Sequence, residues 1–249
     1  DYDDDSTCKS KFDQYIRYSI LSFNFQMLLR MQNHMNENNL AFIFSKACKA
    51  GFHIIVESLL LSPKISINRC VKHSPLQHAC IVGDLYLVKM LLTIPNIDVN
   101  QHSVNVVSDV TKDYDGLTAL ELAIRYGHSK IVSLLLSRLN IDVNKRSRWR
   151  GNTPLLVAAK YNNVRATKLL LARKEINVNI KNNDVYRILN SLKLVGGREA
   201  PLHLACMYNR IEIVKLLLKH PDIDVNILNW NNKRPMDLTD NQDIKALFD

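Results

Sequence analysis

The apolar residues of this chain fall in short runs with helical spacing, and one such run keeps returning. Between Ala200 and Asn226 the sequence reads APLHLACMYNRIEIVKLLLKHPDIDVN. Leu202, Ala205 and Cys206 recur at i, i+3 and i+4, which places them on one helical face. Pro201 suits the first turn, where its missing N–H would have had no partner anyway. Asn209 stands where a left-handed residue ends the helix, a conformation Asn tolerates well. A second helix follows at once, with Ile213, Val214, Leu216, Leu217 and Leu218 as its apolar face and Glu212 and Lys215 left for solvent. Pro221 ends it, and Asp-Val-Asn leads into an extended connection.

Two short helices cannot bury that much leucine alone. Stacked copies can, because each hairpin covers the apolar face of the next. The chain supplies the copies. Ala47, Cys48, Gly51, Ile55, Val56, Leu59 and Leu60 mark one, over about residues 40–72. Pro75, Leu76, Ala79, Cys80, Gly83, Val88, Leu91 and Leu92 mark a second, over 73–112. Gly116-Leu-Thr-Ala-Leu-Glu-Leu-Ala with Gly127, Ile131, Val132 and Leu134 to Leu136 marks a third, over 113–147. Gly151-Asn-Thr-Pro-Leu-Leu-Val-Ala opens a fourth, over 148–197, in which Ala166 and Thr167 replace the usual Ile-Val and predict a weaker second helix. The fifth, over 198–228, is the run described first. Pro235, Met236, Leu238 and Ile244 to Phe248 form a truncated sixth unit, a cap over 229–249.

Two markers keep the phase. Pro75, Ala119, Pro154, Pro201 and Pro235 are spaced 44, 35, 47 and 34 residues apart, and Asn68, Asn100, Asn144, Asn179 and Asn226 are spaced 32, 44, 35 and 47. Both series place extra chain in the connections at about 101–113 and 180–197. The apolar content of 183–197 (Val185, Tyr186, Ile188, Leu189, Leu192, Leu194) predicts a segment folded back on the array or a short helix.

The Ala-Pro-Leu-His-Leu-Ala start and the Ile-Val-Lys-Leu-Leu-Leu run resemble the opening and second helix of the ankyrin repeat. The resemblance covers about 40–249 and implies an all-α ankyrin-repeat solenoid: stacked helix-turn-helix units with β-hairpin or loop fingers between them. It implies that the long connections are fingers, where insertions leave the stack undisturbed. It also implies that His203 hydrogen-bonds backbone in the turn before its helix. One departure is constant. The glycine common after the family's second helix is absent, and Pro-Asn, Leu-Asn, Lys-Glu or Pro-Asp precedes Ile-Asp/Asn-Val-Asn instead.

Ahead of the array, residues 1–9 read as an acidic, disordered tail. Residues 10–39 carry Phe12, Ile16, Ile20, Phe23, Met27 and Met31 at three- and four-residue spacing. That is a helical region that either caps the first repeat or docks on another protein. The net charge is +9, and without Asp1, Asp3, Asp4 and Asp5 the balance is 33 basic against 20 acidic, or +13. A basic body favours acidic partners. The sequence holds no apolar run of membrane-spanning length and no signal peptide, so an intracellular, cytoplasmic or nuclear, monomer is expected. The chain does not begin with Met, which suits a piece of a longer protein.

The chemistry-bearing motifs are missing: no metalloprotease helix, nucleophile elbow, phosphate loop or dinucleotide fingerprint occurs. Of the five cysteines, Cys48, Cys80 and Cys206 each follow a core alanine and read as small buried thiols. His73 and His78 are close in sequence but lack a third ligand. The acidic residues read as outward-facing or as part of Asp-Val-Asn. No enzyme, metal or cofactor is expected.

What remains is a surface. In the family, first helices and fingers line a concave groove, and the residues that vary between repeats make the contacts. Carried onto this sequence, the finger positions are Tyr114 with Asp115, Trp149 with Arg150, and Trp230 with Asn231, with Arg146, Arg148, Lys181 and Lys233 adding charge near the rim. Counted back from the helix, the two tryptophans share one repeat position. The helix-end positions are Arg125 with Tyr126, Lys160 with Tyr161, and Met207 with Tyr208. Aromatic and basic groups of this kind dominate binding hot spots. The expected function is a protein-protein interaction scaffold holding an acidic partner segment. The alternatives are single-stranded nucleic-acid binding, since the same residue types stack bases, and a recruiting domain of a larger enzyme.

Overall fold

The computed structural model describes residues 37–62, 65, 67–68, 73–103, 116–148, 150–183 and 197–248. The expected tail, most of the N-terminal helical region and of both long finger insertions, Tyr114, Asp115 and Trp149 lie outside the described residues. Eleven α-helices are formed among those described: α1 (Glu37–Ala50), α2 (His53–Leu60), α3 (Pro75–Val82), α4 (Leu85–Leu92), α5 (Ala119–Arg125), α6 (Ser129–Leu136), α7 (Pro154–Lys160), α8 (Val164–Leu171), α9 (Pro201–Met207), α10 (Ile211–Leu218) and α11 (Gln242–Lys245). A 3-10 turn at Pro235–Leu238 stands in place of a last first helix. The expected cap therefore has both of its parts, each reduced to a single turn.

The chain is a two-layer stack of helical hairpins. First helices α1, α3, α5, α7 and α9 pack in sequence order and finish on the 3-10 turn, while α4, α6, α8, α10 and α11 form the second layer behind them. One continuous core runs between the layers, with Leu87, Val88, Leu91, Ile131, Val132, Leu135, Ile213, Val214 and Leu217 all buried. Helix α1 is 14 residues long, against seven or eight for the other first helices. It crosses the expected boundary at residue 39.

Local sequence explains the helix ends. Ser74 and Thr118 cap α3 and α5 through reciprocal boxes with Gln77 and Glu121, which satisfy N-terminal N–H groups. Each hairpin turns on a left-handed residue: Gly51, Gly83, Gly127, Asn162 or Asn209. Helix α8, expected to be weak, keeps all eight residues. The side chain of Asn163 caps it at Ala166, and the Thr167 hydroxyl, fully buried, donates to the Asn163 carbonyl at 3.0 Å.

The unusual corner has a physical role. In Ile-Asp/Asn-Val-Asn, the valines Val99, Val143 and Val178 are buried, and the isoleucines Ile97, Ile141 and Ile176 are buried beside them. The Asp or Asn accepts from the N–H two residues on, at 3.0 Å in Asp98, Asp142, Asn177 and Asp224, which makes a local turn. The final Asn reaches the next repeat and bonds twice. Asn144 donates to the Glu175 carbonyl at 2.6 Å and accepts from Asn177 N–H at 2.9 Å. Asn68, Asn100 and Asn179 make the same pair of bonds to the following corner. The asparagine spacing that marks the phase in the sequence is a ladder of inter-repeat clamps.

Among the described residues no strand forms, but each finger is pinched at its base by one backbone bond: Ser103 N–H to Leu117 O, Ser147 N–H to Asn152 O, Asn182 N–H to Glu199 O and Asn229 N–H to Lys233 O. Successive fingers are tied by Arg148 N–H to Gly116 O, Asn183 N–H to Arg150 O and Trp230 N–H to Gly197 O.

Candidate functional surface

The third residue of the first helix differs among α3, α5, α7 and α9, and in α3 and α9 it bonds across the stack to the next finger. Gln77 donates to the Gln101 and Leu117 carbonyls at 2.8 and 3.2 Å. His203 accepts from Ala200 N–H at Nδ1, so Nε2 carries the proton and donates to Lys233 O at 3.0 Å. The expected bond in the turn before the helix is therefore present, the second bond to the next finger adds to it, and burial holds the pKa below the ordinary value. Leu156 takes the same place in the fourth repeat and has no polar group to offer.

Glu121 is the exception. The expectation that acidic residues face outward fails here: the side chain is fully buried, and burial pushes the carboxyl up to about 8 despite the Thr118 bonds to Oε2. Its Oε1 has no hydrogen-bond partner among the described residues.

The helix-end residues form one basic and aromatic strip. The Arg125 guanidinium lies 4.7 Å from the Tyr161 ring centroid and the Lys160 ammonium lies 5.5 Å from it, which joins the third repeat to the fourth across a single ring. Tyr126 stacks on His128 at 6.2 Å, and His128 donates to the Ile81 carbonyl of the preceding repeat. Tyr208 has the Arg210 guanidinium 5.9 Å from its ring. Tyr126, Met207, Tyr208 and Trp230 are the strip's exposed large apolar groups, at 39, 39, 41 and 41 % exposure. Arg148 and Lys233 are exposed and Arg150 half-buried on the fingers.

Counted from the pinch residues Ser147 and Asn229, Trp230 is matched by Arg148, because the fourth finger is one residue longer than the last. The shared tryptophan position holds only when counted back from the helix.

Sequence reasoning passed over Arg198. It occupies the left-handed finger position filled by Gly116, Gly151 and Asn232 in other repeats, with φ of 58°. With Arg146, Ile180, Lys181, Asn182 and Asn183 it lines an open depression of about 410 Å3. Position-by-position comparison of the fingers would have found it.

The thiols of Cys48, Cys80 and Cys206 are buried and free, and burial pushes those of Cys48 and Cys206 up to about 12. His73 and His78 meet edge to face with centroids 5.4 Å apart. Among the described residues no three His, Cys, Asp or Glu side chains gather as a metal cluster would, and no helix is long and apolar enough to cross a membrane.

No curated protein matches the chain. The family model for ankyrin repeats (3 copies) matches residues 44–147 and 141–229, well over half of the length. Repeats of this family generally mediate protein–protein interaction and are typically non-catalytic scaffolds. The match, the stacked hairpins and the turn histidine agree, and the chain belongs to the ankyrin-repeat family.

Proposed function

We propose that this chain is a non-catalytic scaffold that grips an extended acidic segment of a protein partner along its first-helix and finger side. The observation that carries the reading is the Arg125–Tyr161–Lys160 stack. It spends two cations and an aromatic ring on a bridge between repeats where apolar packing alone would serve. Cations held over a ring are pre-oriented, so less side-chain entropy is lost on binding a carboxylate. Around the stack, exposed tyrosines, Met207 and Trp230 offer apolar contact, and the +9 charge speeds capture of an acidic chain. Action in the cytoplasm as a monomer fits the reading.

The test is a selection of random peptides displayed on phage against the immobilised chain, repeated with the Arg125→Ala/Lys160→Ala double variant. An acidic consensus that disappears with the variant supports the proposal. A neutral or basic consensus contradicts it, as does tighter binding of a single-stranded oligonucleotide with a steep salt dependence.

A further inference from the structure

The depression between the fourth and fifth fingers stands outside the aromatic strip and has its own chemistry. Three cationic side chains converge on it from three separate limbs: Arg146 on the way into the fourth finger, Lys181 on the way into the fifth, and Arg198 on the way out of the fifth. The other lining residues are Ile180 and the amides Asn182 and Asn183, and no carboxylate lines it among the described residues. Two of the cations are held in place. Arg146 donates to Asn183 Oδ1 at 2.7 Å, and Lys181 donates to the Leu228 carbonyl of the last finger at 3.0 Å. Both acceptors are neutral oxygens.

Arg198 supplies an independent observation. Left-handed backbone is costly for a residue with a side chain, and Gly or Asn is the usual occupant. The chain uses Gly116, Gly151 and Asn232 at this finger position in other repeats, and arginine only here. At Gly151 an added Cβ would fall 2.4 Å from Asn183 Oδ1 and 2.8 Å from the Arg146 guanidinium, so a side chain there would displace both. The fifth finger accepts the strain, and Arg198 is among the residues that line the depression. Strain retained against an easy alternative points to function rather than folding.

We propose that this depression binds a phosphoryl group carried on a side chain of the bound partner. One carboxylate brings a single negative charge to three cations, whereas a phosphorylated serine or threonine brings nearly two charges and three acceptor oxygens. Guanidinium groups recognise those oxygens in forked pairs. A volume of about 410 Å3 lies within the usual range for a ligand pocket and admits a phosphorylated side chain from a chain lying across the fingers. The carrier's identity as a peptide rests on the scaffold reading, while the oxyanion site does not.

The test follows the Arg146 and Arg198 side-chain Nε–H signals by NMR during titration with three probes: inorganic phosphate, a short phosphoserine peptide, and its unphosphorylated twin. The site requires a saturable shift of both arginine signals with inorganic phosphate and with the phosphopeptide. The carrier requires the phosphopeptide to bind at least about tenfold tighter than free phosphate or the twin, the loss expected for removing charge-assisted hydrogen bonds. Arg198→Gly, the residue of the sibling fingers, should abolish the shift at Arg146 and raise the melting temperature by relieving strain. No saturable shift, or an unchanged one in Arg198→Gly, overturns the site and leaves the aromatic strip standing. Equal affinity for free phosphate and phosphopeptide overturns the peptide as carrier.

Discussion

The two long sides of this stack use their residues in opposite ways. At the corners behind the second helices, the second, third and fourth repeats solve the same problem with the same residues: buried Ile and Val, an Asp or Asn that closes the turn, and an Asn that clamps the next corner. On the first-helix side almost nothing repeats. The third helical residue is Gln77, Glu121, Leu156 or His203, and the helix ends carry Arg125, Lys160 or Met207 beside their tyrosines. Uniformity marks the side that holds the array together. Variation marks the side where a partner would be read, because a stack needs identical joints and a recognition surface needs different ones.

That division can be broken at several points. The deepest is the core both sides share. Leu217→Ala should cost about 2 to 5 kcal/mol as a fully buried truncation, read as a lower denaturation midpoint in urea; an unchanged midpoint would mean the hairpins do not depend on one another. Next is the ladder. Asn144→Ala removes two hydrogen bonds between the third and fourth corners and should cost about 1 to 3 kcal/mol. Its effect on peptide affinity should be small at temperatures where the variant stays folded.

A smaller effect sharpens the comparison on the variable side. Glu121 is protonated in the folded chain up to about pH 8, but in the unfolded chain only up to the ordinary value of 4.5. The folded state therefore holds a proton the unfolded state has shed. This contribution to stability is complete below about pH 4.5 and is lost as pH rises through 8. Glu121→Gln, which copies Gln77, should flatten that decline and gain about 1 kcal/mol or more at pH 8, measured by thermal melts across the range. The smallest stability effect belongs to the strip: Tyr161→Ala with Arg125→Ala should shift the melting midpoint by no more than about 1 kcal/mol.

The sequence carried most of the fold. Helical spacing, Pro at the helix starts and left-handed Gly or Asn at the turns were enough to place the hairpins of α3 to α10, because each is a local signal repeated until chance is excluded. The asparagine period was legible as a phase marker but not as a clamp, since its bonds go to residues about 30 to 45 positions away. The length of α1 was missed because the first repeat lacks the Pro-Leu-His start that fixes where a first helix begins. On the candidate surface, side-chain types were readable and pairings were not. Arg125 over Tyr161 joins two repeats, burial of Glu121 depends on the neighbouring finger, and Arg198 gains meaning only when its left-handed backbone is seen beside Gly116 and Gly151.

The central claim is that the uniform side holds and the variable side binds. It is tested most directly by paired binding isotherms for one fluorescent acidic peptide against Asn144→Ala and against Arg125→Ala/Tyr161→Ala, both held well below their melting midpoints. The account predicts near-native affinity for the first and a loss of at least about tenfold for the second, the scale of one or two hot-spot contacts. The reverse pattern, with the ladder variant losing affinity and the strip variant keeping it, would contradict it.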